Sequence, residues 1–287
     1  MFPYYPLKLL KSLQLLVWAS VLLALTFIFS IFSISVTNVL SISFLRIPFA
    51  LFGWIFGPIW GFIFGFLSDT IDWLTKGYVW FWMFALQKPL FAFLAGIVKG
   101  IYLVRKNASN YKVDFWVLQT LLVTFFVVSV TLLLLYLTNN EFQQIGTKNF
   151  QTADLSVNVV VLQIITLVSF VIFFLVTEGF LGFVYVKKRN KEQALLTIYS
   201  LVLMVLMSVV VSILLGTIAA IEFITFINNG RPSNNFVLYG VYFFLLPRVL
   251  VQALLLPIYV ALFYPLIGIV ENNLKNYLLL FTLSWKS

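Results

Sequence analysis

The sequence has no cysteine and no histidine, and charged residues fill only 9% of its 287 positions. Without cysteine there are no disulfides and no thiolate metal sites. Without histidine the chain also lacks the commonest general base and metal ligand. No G-x-x-x-x-G-K-[ST] run occurs, so the chain carries no P-loop for binding and hydrolysing ATP. These absences predict a protein that is not an enzyme and holds neither a metal nor a cofactor.

Apolar residues are abundant instead, at 62% of the chain, with a mean hydropathy of +1.07. A soluble domain carries about 25% charged residues and could not bury this much apolar surface. Repeated apolar runs of about 20 residues predict an all-α integral membrane protein in the cell membrane. The net charge of +9 lies in the loops between these runs, so we expect no nucleic-acid partner.

The apolar runs predict eight transmembrane helices in a single membrane domain, 1–287. They are Leu10–Val36, Leu40–Gly57, Pro58–Thr75, Phe81–Val104, Phe115–Thr138, Val157–Val186, Ala194–Phe226 and Tyr242–Val270. Gly57-Pro58 is predicted to be a turn deep in the protein. Gly53, Gly57, Gly61 and Gly65 recur every four residues around it, which would let another helix backbone approach closely.

Charge decides whether that turn exists, because cytoplasmic loops carry the excess of lysine and arginine. With the turn, both termini and nearly all basic clusters face the cytoplasm, including Arg105-Lys106 and the run at 187–191. Without it, those clusters would lie opposite Lys8 and Lys11. The eight-span arrangement is therefore the prediction.

Charged side chains inside membrane spans are costly and indicate function. In the eight-span arrangement five of them fall toward the outer ends of their helices: Arg46, Asp69, Lys88, Glu222 and Arg248. Lys99 falls toward an inner end, where we expect it to snorkel to the interface. The outer set predicts a pocket for a polar small molecule.

Three segments together resemble a known family. FLRIPFALFGWIFGPIWGFIFGFLSDTIDWL, from Phe44, resembles the second and third helices of the substrate-binding S component of energy-coupling factor (ECF) transporters, folate type. FWMFALQKPLFAFLAGIVKGIYL resembles the family's fourth helix, although Phe81-Trp82-Met83-Phe84 replaces the usual FPGF-like run. FLLPRVLVQALLLPIYVALFY resembles the last helix. The resemblance implies a six-helix core, with 107–193 as an inserted helical hairpin. Either Phe115–Thr138 or Ala194–Phe226 would then be the native fifth helix.

The resemblance implies that the protein binds a vitamin outside the cell, with folate or a related pteridine first. Arg46, Lys88 and Arg248 would bind the folate carboxylates, Asp69 or Glu222 would accept from the pterin edge, and Trp80 and Trp82 would stack on the ring. Energy would come from partners, namely a transmembrane coupling subunit and two ATP-binding cassette ATPases. The small-residue pair Ser20 and Ala24 would dock on the coupling subunit. Alternatives are an S component for riboflavin or pantothenate, or a structural membrane protein without a ligand.

Overall fold

The structure, a computed structural model, describes residues 13–32, 34–37, 40–42, 44–106, 112–120, 123–124, 127, 149–152, 155–187, 191–232 and 241–283. Helices dominate this part of the chain. They are α1 (Leu13–Ile31), α2 (Arg46–Phe56), α3 (Pro58–Lys76), α4 (Trp82–Ala85), α5 (Gln87–Lys106), α6 (Val159–Lys187), α7 (Lys191–Leu206), α8 (Gly216–Ile227) and α9 (Tyr242–Leu283). A π-helix, Met207–Leu215, joins α7 to α8, and residues 112–120 are also helical.

The prediction of a helical membrane protein is confirmed. Within the described residues, three helices are long and apolar enough to cross a membrane, Trp82–Lys106, Gln193–Ile227 and Leu255–Asn272. The count of eight spans is not confirmed and stays a prediction. The predicted span Phe115–Thr138 and the basic run at 187–191 lie partly outside the described residues.

The turn at Gly57-Pro58 is present. Gly57 has a φ of 88°, which favours glycine, and Pro58 opens α3, where its missing N–H and fixed φ suit a helix start. Phe52 stacks on Phe64 with ring centroids 3.6 Å apart. Phe49, eight residues before Gly57, also packs on the Phe64 ring, seven residues after it. These contacts make α2 and α3 an antiparallel hairpin.

The glycines of this hairpin allow close packing on α5, as predicted for three of the four. Gly53 and Gly61 lie four residues to either side of Gly57, and a Cβ added at either would overlap Ala92. A Cβ at Gly65 would overlap the backbone of Pro89. A Cβ added at Gly57 would meet nothing, whereas one added at Gly96 of α5 would overlap the backbone of Gly57 and Pro58. Helix α5 is therefore held in the cleft between the two arms of the hairpin.

The predicted start of the second helix is wrong. Leu40–Ile42 forms strand β2, which pairs antiparallel with β1 (Ile34–Thr37), and α2 begins only at Arg46. The β-branched residues before this point favour strand, and Pro48 is tolerated only in the first turn of a helix. Eleven residues span about 16 Å, roughly half of the hydrocarbon core. All of α2 except Ile55 is buried, so this half-length helix lies inside the bundle.

Helix α6, between α5 and α7 in sequence, is more exposed than α7 in its described part. A second antiparallel pair, β3 (Asn149–Thr152) and β4 (Leu155–Asn158), precedes α6. Most described side chains of α6 are exposed, whereas residues 194–201 of α7 are all buried. Arg105 Nε donates to Asp114 Oδ1 at 2.5 Å, which connects α5 to the helical residues 112–120. That 107–193 is an inserted hairpin remains a prediction.

The long helix α9 continues past the predicted end at Val270, to Leu283. Its Glu271 accepts a hydrogen bond from the Trp54 indole N–H at 2.9 Å and lies 3.9 Å from Lys99 Nζ. Lys99 is only 15% exposed, so the expectation that it snorkels is wrong. A carboxylate on α9 lets this lysine remain inside the bundle.

Candidate functional site

Arg46, the first residue of α2, is buried in a polar cluster inside the bundle. Its Nη1 donates to Ser208 Oγ at 3.0 Å and to Gln252 Oε1 at 2.5 Å, and its Nη2 donates to Ser212 Oγ. The two serines lie on the π-helix and Gln252 lies on α9. Three elements distant in sequence therefore converge on one guanidinium.

Two aromatic rings complete the surroundings of this guanidinium. Arg46 Cζ lies 5.3 Å from the ring centroid of Phe91 and 4.9 Å from that of Tyr259, within the range of cation–π attraction. No carboxylate of the described residues lies within 4.0 Å of Arg46. A buried charge held only by neutral groups and rings is costly unless an anion joins it.

A second polar cluster joins α3 to the start of α5. Lys88 Nζ lies 3.0 Å from Asp69 Oδ1 and 2.5 Å from Asp72 Oδ2. Both carboxylates are buried, and Lys88 is 16% exposed. The predicted residues Asp69 and Lys88 thus contact each other, and one ammonium is shared between two carboxylates.

Helix α1 and the loop after α3 enclose this second cluster. Ser30 Oγ donates to Asp72 Oδ1 at 3.1 Å, and Lys76 Nζ lies 4.0 Å from the same oxygen. The hydroxyl of Tyr78 donates to Asp69 Oδ1 at 3.5 Å. Burial, followed by the charges of Asp69 and Asp72, raises the pKa of the Tyr78 phenol. Tyr78 therefore stays protonated as a donor to the carboxylate.

The two clusters lie on the same side of the bundle. Counted along their helices from Gly57, Arg46 and Asp69 are each roughly 17 Å from the turn. Lys88 and Phe91 are three residues apart on α5 and so lie on one face, one turn from each other. The Lys88 cluster is therefore next to the Arg46 cluster, closer to the start of α5.

Arg248 of α9 is also buried and lies at the other end of the π-helix from Ser208. A Cβ added at Gly216 would lie 2.7 Å from Arg248 Nη1, so this guanidinium lies directly against the glycine. Ser208, Ser212 and Gly216 are spaced four residues apart. The guanidinium groups of Arg46 and Arg248 therefore both lie against one continuous helical stretch, 208–216.

The other predicted ligand residues are more exposed. Trp80 is 43% exposed and Trp82 is 52% exposed, in and just after the loop that follows α3. Glu222 is exposed on α8. Phe81 and Phe84, beside the tryptophans, pack on Phe223 of the same helix. In the described part of the chain, Glu222 makes no ion pair with the arginines or with Lys88.

Ser20 and Ala24, the predicted docking pair, are exposed on α1. The Ser20 hydroxyl donates to the Leu16 carbonyl at 2.9 Å, so it is satisfied within its own helix. Val17, Val21 and Ile28 are exposed on the same helix. The pair is therefore available to a partner.

Four buried polar residues of these clusters were missed from the sequence: Asp72, Ser208, Ser212 and Gln252. Asp72 lies three residues after Asp69, a spacing that places both on one helix face and that could have identified it. The two serines carry no such signal, because hydroxyls are common in membrane helices. Their role depends on an arginine more than 160 positions earlier in the chain.

The family model described as "ECF transporter, substrate-specific component" matches residues 14–165 of this chain, more than half of its length. The chain belongs to this family. An S component is the membrane-embedded, substrate-specific subunit of an ECF transporter and works with the coupling and ATPase subunits. This membership argues against the alternative of a structural membrane protein without a ligand.

A relative from Mycoplasma pneumoniae (strain ATCC 29342 / M129 / Subtype 1), "Uncharacterized protein MG313 homolog", is 59% identical over 286 residues, covering 100% of both chains. No solved structure matches this S component. The comparisons leave the substrate of this S component unspecified.

Proposed function

We propose that this S component takes up folate or a related pteridine from outside the cell, with both of its termini in the cytoplasm. The observation that carries the proposal is Arg46. It is buried, has no carboxylate neighbour among the described residues, and stands in the segment that most resembles the folate type. An anionic ligand would supply the missing charge.

The carboxylates of the ligand would bind mainly to Arg46 and Arg248. Lys88 is already engaged by Asp69 and Asp72, so it would contribute from the edge of the site. Asp69 and Glu222 are the acceptors proposed for the amino-pyrimidine edge of a pterin. Trp80 and Trp82 would cover the flat ring from the adjoining loop.

The second candidate is pantothenate, another anionic vitamin. One carboxylate suffices to neutralise Arg46, and the lysine beside it is engaged by aspartates. Riboflavin carries no carboxylate and would leave the guanidinium uncompensated. Folate and pantothenate, which carry carboxylates, are therefore favoured over riboflavin.

Mass spectrometry of the purified protein tests the proposal. The protein is purified from cells grown with a mixture of vitamins and denatured, and the released small molecules are identified. We expect folate or a reduced pteridine in near-stoichiometric amount, and clearly less from an Arg46→Ala variant of equal melting temperature. If riboflavin or pantothenate is released instead, that vitamin and not folate is the substrate.

A further inference from the structure

The hydrogen-bond inventory around Arg46 is unbalanced toward donors. A guanidinium has five N–H donors. Three of them go to Ser208, Ser212 and Gln252, which leaves Nε–H and one Nη2–H without a partner in the described residues. A planar pair of N–H groups matches the two oxygens of a carboxylate.

The three acceptors around Arg46 have donors left over as well. Ser208 Oγ and Ser212 Oγ each accept from Arg46, and no described acceptor takes either hydroxyl hydrogen. Gln252 Oε1 accepts in the same way, which leaves the Gln252 amide N–H groups without a described acceptor. All three side chains are more than nine-tenths buried.

Neighbouring hydroxyls on the same helical stretch behave differently. Ser200 donates to the Leu196 carbonyl at 2.6 Å, and Thr217 donates to the Ile213 carbonyl at 2.5 Å. Their hydrogens satisfy the backbone of their own helix, the usual arrangement inside a membrane helix. Ser208 and Ser212, within the π-helix, are the exceptions, and π-helical turns are frequent at functional sites.

We infer that Ser208, Ser212 and Gln252 form, with Arg46, a cradle whose unused N–H and O–H donors bind one carboxylate of the transported ligand. This inference rests on the proposed function, because it assumes that the S component has its ligand at Arg46. It names the substrate class more narrowly, as a carboxylate compound. A neutral vitamin would leave one buried positive charge and several buried donors unsatisfied.

The experiment compares each carboxylate vitamin with its neutral amide. The probes are folic acid and its glutamate diamide, pantothenate and its primary amide, and riboflavin as a neutral vitamin. Affinity for the intact S component in detergent is measured by calorimetry, and melting temperature is measured in parallel. We expect a carboxylate probe to bind and its amide to bind at least about a hundredfold more weakly.

Gln252→Glu is the decisive variant. It places a carboxylate of nearly the same shape against Arg46, so the protein should fold with an unchanged or raised melting temperature. Its affinity for the carboxylate probe should fall about a hundredfold. Ser208→Ala and Ser212→Ala should each lower the affinity for the probe about tenfold. Ser200→Ala is the matched control, because that hydroxyl bonds its own helix, and its affinity should equal that of the unsubstituted protein.

Equal affinity for acid and amide, or a folded Gln252→Glu protein that keeps its affinity, would overturn the inference. So would the absence of binding by any carboxylate probe up to about 1 mM, the weak end of specific binding. If pantothenate binds with the expected variant pattern and folic acid does not, the folate proposal fails and the cradle stands. If riboflavin binds and the variants change nothing, the cradle fails while the S-component role stands.

Discussion

At the scale of single residues, the positive charges of Arg46 and Lys88 are compensated differently. Lys88 lies against the carboxylates of Asp69 and Asp72, so its positive charge is compensated without any ligand. Arg46 lies among hydroxyls, an amide and two aromatic rings. These neutral groups hold the guanidinium in position but do not neutralise its positive charge. Of these two cations, Arg46 is therefore the better suited to an anion.

Removing the Arg46 guanidinium should weaken ligand binding more than it affects folding. Arg46→Ala should cost about 1.5–3 kcal/mol of binding free energy, roughly tenfold to a hundredfold in Kd, because a charge-assisted bond is lost. Arg46→Lys should recover only part of this, since an ammonium cannot form a bidentate pair. Calorimetry with the vitamin identified by mass spectrometry measures both. Arg231→Ala, at an exposed arginine, is the control, and a folded Arg46→Ala protein of unchanged affinity would remove Arg46 from the site.

Lys88 is predicted to matter for stability. Lys88→Met would leave Asp69 and Asp72 facing each other in a buried site, at a cost of about 3 kcal/mol. A triple variant that also carries Asp69→Asn and Asp72→Asn should recover most of this, because no unpaired charge remains. Melting temperatures in detergent compare the two variants. Equal loss in both would mean that packing, and not charge, sets the role of Lys88.

At the scale of secondary-structure elements, the hairpin of α2 and α3 is the part of the fold that the sequence predicted best. Glycine spacing and a Gly-Pro pair suffice, because glycine alone permits both a positive φ and close helix contact. The strands before α2 and the π-helix were missed. Short β-branched segments beside apolar runs look like parts of a span, and a π-helical turn has no simple periodicity in sequence.

The glycines of the hairpin give a graded test of close packing. Gly53→Ala should destabilise the protein by about 1–3 kcal/mol, because its methyl group would overlap Ala92. Gly179→Ala on α6 meets nothing within 4 Å and should be neutral or slightly stabilising. Thermal unfolding in detergent distinguishes the two variants. A Gly53→Ala protein as stable as the Gly179→Ala protein would show that α5 does not lie against this glycine.

At the scale of the whole molecule, the predicted arrangement in the membrane rests on the distribution of basic residues and on the turn at Gly57-Pro58. A chain without cysteine allows single cysteines to be placed without background. Cysteines at Asn107 and Asn190 should react with a membrane-impermeant maleimide only from the cytoplasmic side, and one at Asn149 only from outside. These outcomes follow from the excess of basic residues in cytoplasmic loops. Reaction at position 107 from outside would contradict the eight-span arrangement.

The exposed face of α1 gives a second prediction at this scale, which separates binding from transport. Ser20→Leu combined with Ala24→Leu should leave ligand affinity unchanged, because both side chains are exposed on α1. Uptake by the complete transporter should be lost, since a close helix contact with the coupling subunit needs small residues. Radiolabelled vitamin uptake in vesicles and calorimetry in detergent measure the two effects. Normal uptake would exclude this face as the docking surface, and lost affinity would assign it to the interior packing.

Sequence alone determined the class of the molecule. Its apolar runs, its few charges and the Gly57-Pro58 turn predict a helical membrane protein, because a bilayer admits few alternatives for a chain of this composition. Sequence also indicated Arg46, Asp69, Lys88 and Arg248, because charge in a membrane helix is rare enough to stand out.

Only the tertiary structure decided which of these residues meet. It paired Lys88 with an unforeseen second carboxylate and placed Glu222 on an exposed face. It also surrounded Arg46 with Ser208, Ser212 and Gln252, which come from helices far away in sequence. Hydroxyl and amide side chains carry no charge to make them conspicuous in a sequence. Their hydrogen-bond partners depend on how the helices pack.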